Sequence, residues 1–163
     1  MRKVYPAARE QRCWVHKTAN VLNNFPKSVQ PRAKAAIHEI WQAETRGNAN
    51  RAFDNFKEKY AAKYPKAWEC LAKDRDVLLT FYDFPAEHWK HLRTTNPIES
   101  AFATIRLRHR RTKGSGSRRT SLAMMYKLGR NAEKRWRKLN GHNQMIHLIE
   151  GRKFVDGILQ DAA

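Results

Sequence analysis

The sequence predicts a mainly α-helical chain with a single short strand. Three observations predict this. Apolar residues recur at spacings of three and four along most of the length, proline and glycine punctuate those stripes, and only one segment, REQRCWVHK at 9–17, alternates in a way that suits a strand.

That segment places β-compatible residues around Trp14 and Val15. A lone strand leaves its hydrogen-bonding edges unpaired, so the expectation carries a second one: its partners lie in a sheet supplied from elsewhere. The helices follow in order. Pro31 opens one whose apolar side is Ile37, Ile40 and Trp41, running to Gly47. Asn48 is placed to cap the next, with Ala52, Phe53, Phe56 and Tyr60 as its stripe, and Pro65 breaks it. Trp68, Leu71, Ala72, Arg75, Leu78 and Leu79 form a further amphipathic run, and YDFPAEHWKHL reads as a turn followed by a short helix.

Asn96 and Pro97 then open a helix with Glu99 at the third position, where a capping box puts its acid. Ile98, Phe102 and Ile105 are its expected buried side. TKGSGSRR is a glycine- and serine-rich loop. A long helix comes next, striped with Leu122, Met125, Leu128, Ala132, Trp136 and Leu139 and closed by Gly141. NQMIHLIEGRKFVDGI is read as a last short helix.

The charge balance limits the function. The 163 residues carry a formal charge of +18 with a pI near 10.4, which calls for a polyanionic partner, nucleic acid before an anionic membrane. No apolar run approaches the roughly 20 residues a spanning helix needs, and no secretory signal opens the chain. Two cysteines, Cys13 and Cys70, make no disulfide framework, which fits a reducing, cytoplasmic setting.

Between Arg93 and Lys138 stand fourteen Lys or Arg and two acids, Glu99 and Glu133. A solvated helix face usually mixes charges, and this one does not. Arg93, Arg106, Arg108, Arg110, Arg111, Lys113, Arg118, Arg119, Lys127, Arg130 and Lys134 are the expected phosphate contacts. Glu99 has two readings. Spacing alone makes it a helix cap. Yet Glu99, Ala103, Arg106 and Arg110 share a helix face apart from Ile98, Phe102 and Ile105, so the carboxylate points where the cations point. A carboxylate beside phosphate needs a divalent cation between them, as in two-metal phosphoryl transfer. Cys13-x-x-His16 and His88-x-x-His91 could supply zinc ligands, but on a strand Cys13 and His16 face opposite sides, and a buried thiol with a hydrogen-bonded imidazole is the default.

Two stretches resemble the carboxy-terminal half of Mutator-type DDE transposases of bacterial insertion sequences. VYPAAREQRCWVHKTANVL is similar to the family segment around its C-x-x-H signature, here Cys13 and His16. HWKHLRTTNPIESAFATIRLRHRRTKGSGSRRTSLAMMYKL is similar to the block, with Asn96, that holds the last catalytic acid, which falls on Glu99. The resemblance implies the late portion of an RNase H-like α/β core. Residues 1–17 would be its last strand, 18–92 an all-helical insertion, 93–139 the returning catalytic helix with basic DNA-binding helices, and 140–163 a carboxy-terminal helix and tail. It implies two aspartates and Glu99 holding Mg²⁺ or Mn²⁺, with DNA cleaved and its 3′-end joined to target DNA.

Both aspartates lie upstream of the C-x-x-H segment in the family, and Asp54, Asp74, Asp76 and Asp83 match neither. The expectation is therefore a transposase fragment that binds no metal alone and is inactive alone. Its partners would be element ends, target DNA, the missing amino-terminal half and other transposase subunits, in a bacterial, nucleoid-associated setting. The alternative is a non-catalytic basic DNA-binding protein.

Overall fold

The computed structural model describes residues 8–113 and 116–160. The chain is mainly helical and divides into two compact units, one formed by 1–94 with 140–163 and the other by 95–139.

The first unit begins with a correction. Residues 8–13 have no regular structure, and Trp14–Leu22 is helix α1 where 9–17 suggested a strand. The reason is burial period. Trp14, Lys17, Thr18 and Val21 are the buried residues, at helical rather than alternating spacing. The first residues of the expected strand domain, 1–7, lie outside the described residues. Helices α2 (Gln30–Gln42), α3 (Arg46–Tyr60), α4 (Pro65–Ala72), α5 (Arg75–Leu78) and α6 (Trp89–Leu92) follow. Thr45, not Asn48, caps α3: its hydroxyl accepts the Asn48 N–H at 3.1 Å. Prolines open α2 and α4 within their first turns.

The stripes read from sequence converge on one core. Trp14, Val21, Ile37, Ile40, Phe53, Phe56, Leu71, Leu78, Phe81 and Tyr82 are all essentially buried. The expected single run from Trp68 to Leu79 is broken between α4 and α5, where Asp74 leaves helical geometry. Its carboxylate takes Lys17 Nζ at 2.6 Å and Arg12 Nε at 3.0 Å. Burial pushes the Asp74 carboxyl up, but the Lys17 hydrogen bond and the charges of Lys17, Arg12 and Lys73 outweigh it and hold it below the usual carboxylate range. A depressed folded-state carboxyl stabilises the fold above its unfolded pKa, and that contribution is lost as pH falls through the folded value. Lys17 is 1% exposed, so removing its partner strands a buried charge. Asp74→Ala is expected to cost about 3 kcal/mol at neutral pH. In urea titrations the variant should also lose less stability than the wild type as pH drops below about 4.

The segment 140–160 returns to this unit. After α9 (Met145–Ile149) comes a hairpin of β1 (Phe154–Val155) and β2 (Ile158–Leu159), paired Phe154 to Leu159 and Val155 to Ile158. These are the strands found among the described residues; the last short helix expected within 143–158 is α9, which ends before them. The VDGI tetrapeptide turns with φ of +49° at Asp156 and +83° at Gly157, as a two-residue hairpin requires. Asp156 Oδ1 accepts the Arg46 N–H at 2.7 Å, placing a carboxylate at the positive end of α3. A Cβ on Gly157 would stand 2.7 Å from the Ala86 Cβ, so the turn seats against the 3₁₀ turn Ala86–His88 only because the residue is glycine.

His88 and His91, one of the two pairs weighed as zinc ligands, hold this returning segment. His88 is buried, with Nε2 2.9 Å from the Gly141 carbonyl, and His91 Nε2 accepts the Asn140 N–H at 3.3 Å. Gly141, expected to end the long helix, takes φ +64° in this anchoring turn.

Candidate nucleic-acid interface

The second unit is a pair of packed 16-residue helices, α7 (Asn96–Arg111) and α8 (Arg118–Glu133). The first helical bond of α7 runs from the Glu99 N–H to the Thr95 carbonyl at 2.9 Å, so the cap is Thr95, one residue before the expected Asn96. Thr95 Oγ1 also donates to Glu99 Oε1 at 2.8 Å. The acid is thus held over the first turn, where the helix dipole favours a negative charge. Ser117 caps α8 by accepting the Thr120 N–H at 3.2 Å. Of the loop between the helices, Gly114 and Ser115 lie outside the described residues. Helix α8 stops at Glu133, short of the expected Leu139, and Trp136 and Leu139 lie beyond its end.

Every expected phosphate contact in this unit is exposed: Arg106, Arg108, Arg110 and Arg111 on α7, Lys113 after it, Arg118, Arg119, Lys127 and Arg130 on α8, and Lys134 at its end. Glu99 is exposed as well. Lys127, Arg130 and Lys134 are brought together around a shallow groove of about 550 Å³ with Tyr126 and Asn131, and Glu133 pairs with Arg130 there. Arg118 and Arg119 occupy a first turn with no acid, at the positive end of the helix dipole. That arrangement costs the helix stability in water and suits a bound anion.

The expected buried side of α7 is not buried within the chain. Ile98 and Phe102 are 59% and 55% exposed, and Ile105 is half-buried. Neither helix contains a fully buried side chain among its described residues, because two helices packed on each other have only one side each to cover. A second groove, of about 400 Å³, runs between them, with Ser100, Thr104 and Arg108 from α7 and Asn131, Arg135 and Trp136 from the other side. Sequence reading passed over most of these residues. Their signal was the Ser100, Thr104, Arg108 row at intervals of four.

Arg93 is set apart from the other cations. It belongs to the first unit, where its guanidinium lies 4.5 Å from the Phe81 ring centroid, 4.9 Å from Trp89 and 5.7 Å from Trp41. Burial lowers its pKa, and neighbouring Tyr82 works the other way. Its carbonyl accepts the Trp14 N–H at 2.8 Å, closing the start of α1. Arg93→Ala is expected to destabilise the first unit by about 2 kcal/mol through the lost cation–π contacts. Thermal melts should show that loss, and the salt slope of DNA binding should not move.

Cys13 is buried at the cap of α1, and His16 is exposed one turn on. Among the described residues no three of His, Cys, Asp and Glu gather as a metal site. Their donor set is too small for a two-metal centre.

The helix pair is exposed and densely cationic, with a carboxylate fixed at its start. The family model for transposases of the Mutator family matches residues 1–138, and the chain belongs to that family. It is 54% identical over 156 residues to the transposase for insertion sequence element IST2 of Acidithiobacillus ferrooxidans, covering 96% of this chain and 53% of that protein. Against the IS6120 transposase of Mycolicibacterium smegmatis the identity is 54% over 159 residues, covering 98% and 49%. The IS905 transposase of Lactococcus lactis is 35% identical over 98 residues, 60% of this chain and 25% of that one. The chain thus spans about half the length of the first two relatives. No helix among the described residues is long and apolar enough to cross a membrane.

Proposed function

We propose that this chain is the portion of a transposase that contributes the last catalytic carboxylate, Glu99, and a DNA-contacting helix pair to transposition of an insertion sequence. The observation that carries the reading is α7 itself. Glu99 is fixed at its start by Thr95, and the exposed Arg106 and Arg110 follow at seven and eleven residues, on the same helix face. One end offers a metal ligand and the other offers counter-charges for phosphate. The remaining ligands are aspartates of an RNase H-like core outside these residues. Mg²⁺ or Mn²⁺ held there would neutralise charge at the scissile phosphate. The chain's own residues bind and orient DNA through the cations of α7 and α8, and alone they are inactive in cleavage.

The test of the DNA contacts is salt dependence. Each phosphate neutralised contributes about 0.9 to the slope of log K against log salt. Arg106→Ala, Arg110→Ala and Arg111→Ala together are expected to flatten that slope by nearly 3 and to weaken duplex binding about a hundredfold at low salt. Binding of the wild type that does not respond to salt would remove the basis of this reading. A non-catalytic DNA-binding protein shares the slope and differs at Glu99, where substitution would leave DNA processing unchanged.

A further inference from the structure

We propose that the groove between α7 and α8 seats an unpaired nucleotide of the bound DNA, with its base stacked on Trp136 and its flanking phosphates on Arg108 and Arg135. This rests on the DNA-contacting reading above and names the form of DNA that one part of the surface takes.

Four observations lead there. Trp136 is 61% exposed, whereas Trp14, Trp41, Trp68 and Trp89 are buried or half-buried in the first unit. An indole left open has a face to offer, and every base has a π-face to match it. The groove, at about 400 Å³, has the volume to admit a base with its sugar. Its lining combines that aromatic with two guanidinium groups, Arg108 and Arg135, both exposed. Ser100, Thr104 and Asn131 add hydroxyls and a carboxamide that can donate to and accept from a base edge.

Within a duplex the bases stack on one another, and only the terminal pair leaves a face open, paired and too wide for a groove that admits one base. The groove therefore reads a frayed, tailed or flipped nucleotide, while the surrounding cations take duplex and single strand alike. Ser100 directly follows Glu99 in the chain, so a base held there would lie along the helix that carries the carboxylate.

The experiment compares the full chain on a blunt duplex and on the same duplex with a short single-stranded 3′ tail, by fluorescence anisotropy at fixed salt. The wild type is expected to bind the tailed duplex about tenfold tighter, with its tryptophan emission quenched. Trp136→Ala, at an exposed site that leaves the core intact, should erase the preference and the quenching while blunt-duplex affinity stays unchanged. Arg108→Ala should reduce the preference as well. A wild type that binds both duplexes equally, or a Trp136→Ala chain that keeps the preference, overturns the proposal and leaves duplex binding standing. Loss of salt-dependent binding to both duplexes by the wild type instead overturns the DNA reading and the groove with it.

Discussion

Glu99→Gln is expected to lower strand cleavage and joining by at least about a thousandfold, measured once the chain is fused to the upstream half of a close relative such as the IST2 transposase. DNA affinity should stay within about twofold of the wild type. The geometry makes this substitution informative. Thr95 Oγ1 donates to Glu99 Oε1, and a glutamine carbonyl accepts the same bond. The first helical bond, from the residue 99 N–H to the Thr95 carbonyl, is untouched. What changes is one negative charge. If Glu99 only caps the helix, the loss is the dipole and capping contribution, about 1 kcal/mol or less, and cleavage persists with unchanged Mg²⁺ dependence. If Glu99 is a metal ligand, turnover collapses on top of that same small stability loss, which follows from its place over the first turn either way. Cleavage, not stability, therefore separates the two readings.

The parts of the fold legible in sequence were those where local pattern and tertiary burial agree. The stripe Ile37, Ile40 and Trp41 and the stripe Phe53, Phe56 and Tyr60 have helical spacing, and the structure packs both into the core of the first unit. The segment 9–17 misled because its alternation is real over only a few residues. Extending the window to Val21 and Leu22 brings out the helical period that burial obeys. The hairpin at 154–159 carried a turn signal, Asp-Gly, that was hidden inside a stretch with enough leucine and isoleucine to suggest a helix.

The candidate site residues differ in how far their placement was legible. The cations of α7 and α8 are exposed where a basic run would put them. Arg93 looked identical to them in sequence, because nothing local announces that Trp41, Phe81 and Trp89 will close around it. The same is true of His88 and His91, whose i, i+3 spacing suits a metal but whose ring nitrogens meet the backbone at 140–141. Such long-range partners are chosen by the fold and leave no mark at short range.

The helix pair should also differ sharply from the first unit in hydrogen exchange. Ile37, Ile40, Phe53 and Phe56 are themselves at most 1% exposed, so their amides are expected to exchange only through global unfolding. Helices α7 and α8 expose Ile98, Phe102, Leu107, Leu122, Met125 and Tyr126 at 42–69% and contain no fully buried side chain among the described residues. Sixteen-residue helices that cover only one another are marginal in water, and the four arginines between 106 and 111 add like-charge repulsion along α7. Their amides should exchange at least about a hundredfold faster than those of α2 and α3. Duplex DNA is expected to slow them selectively, because it neutralises that repulsion and binds the ordered form. Fusion to the upstream half of a full-length relative should slow them further if that half covers the exposed apolar residues. Protection in the isolated chain equal to that of α2 and α3 would mean that the pair has a cooperative core of its own, and its exposed apolar faces would then need another explanation.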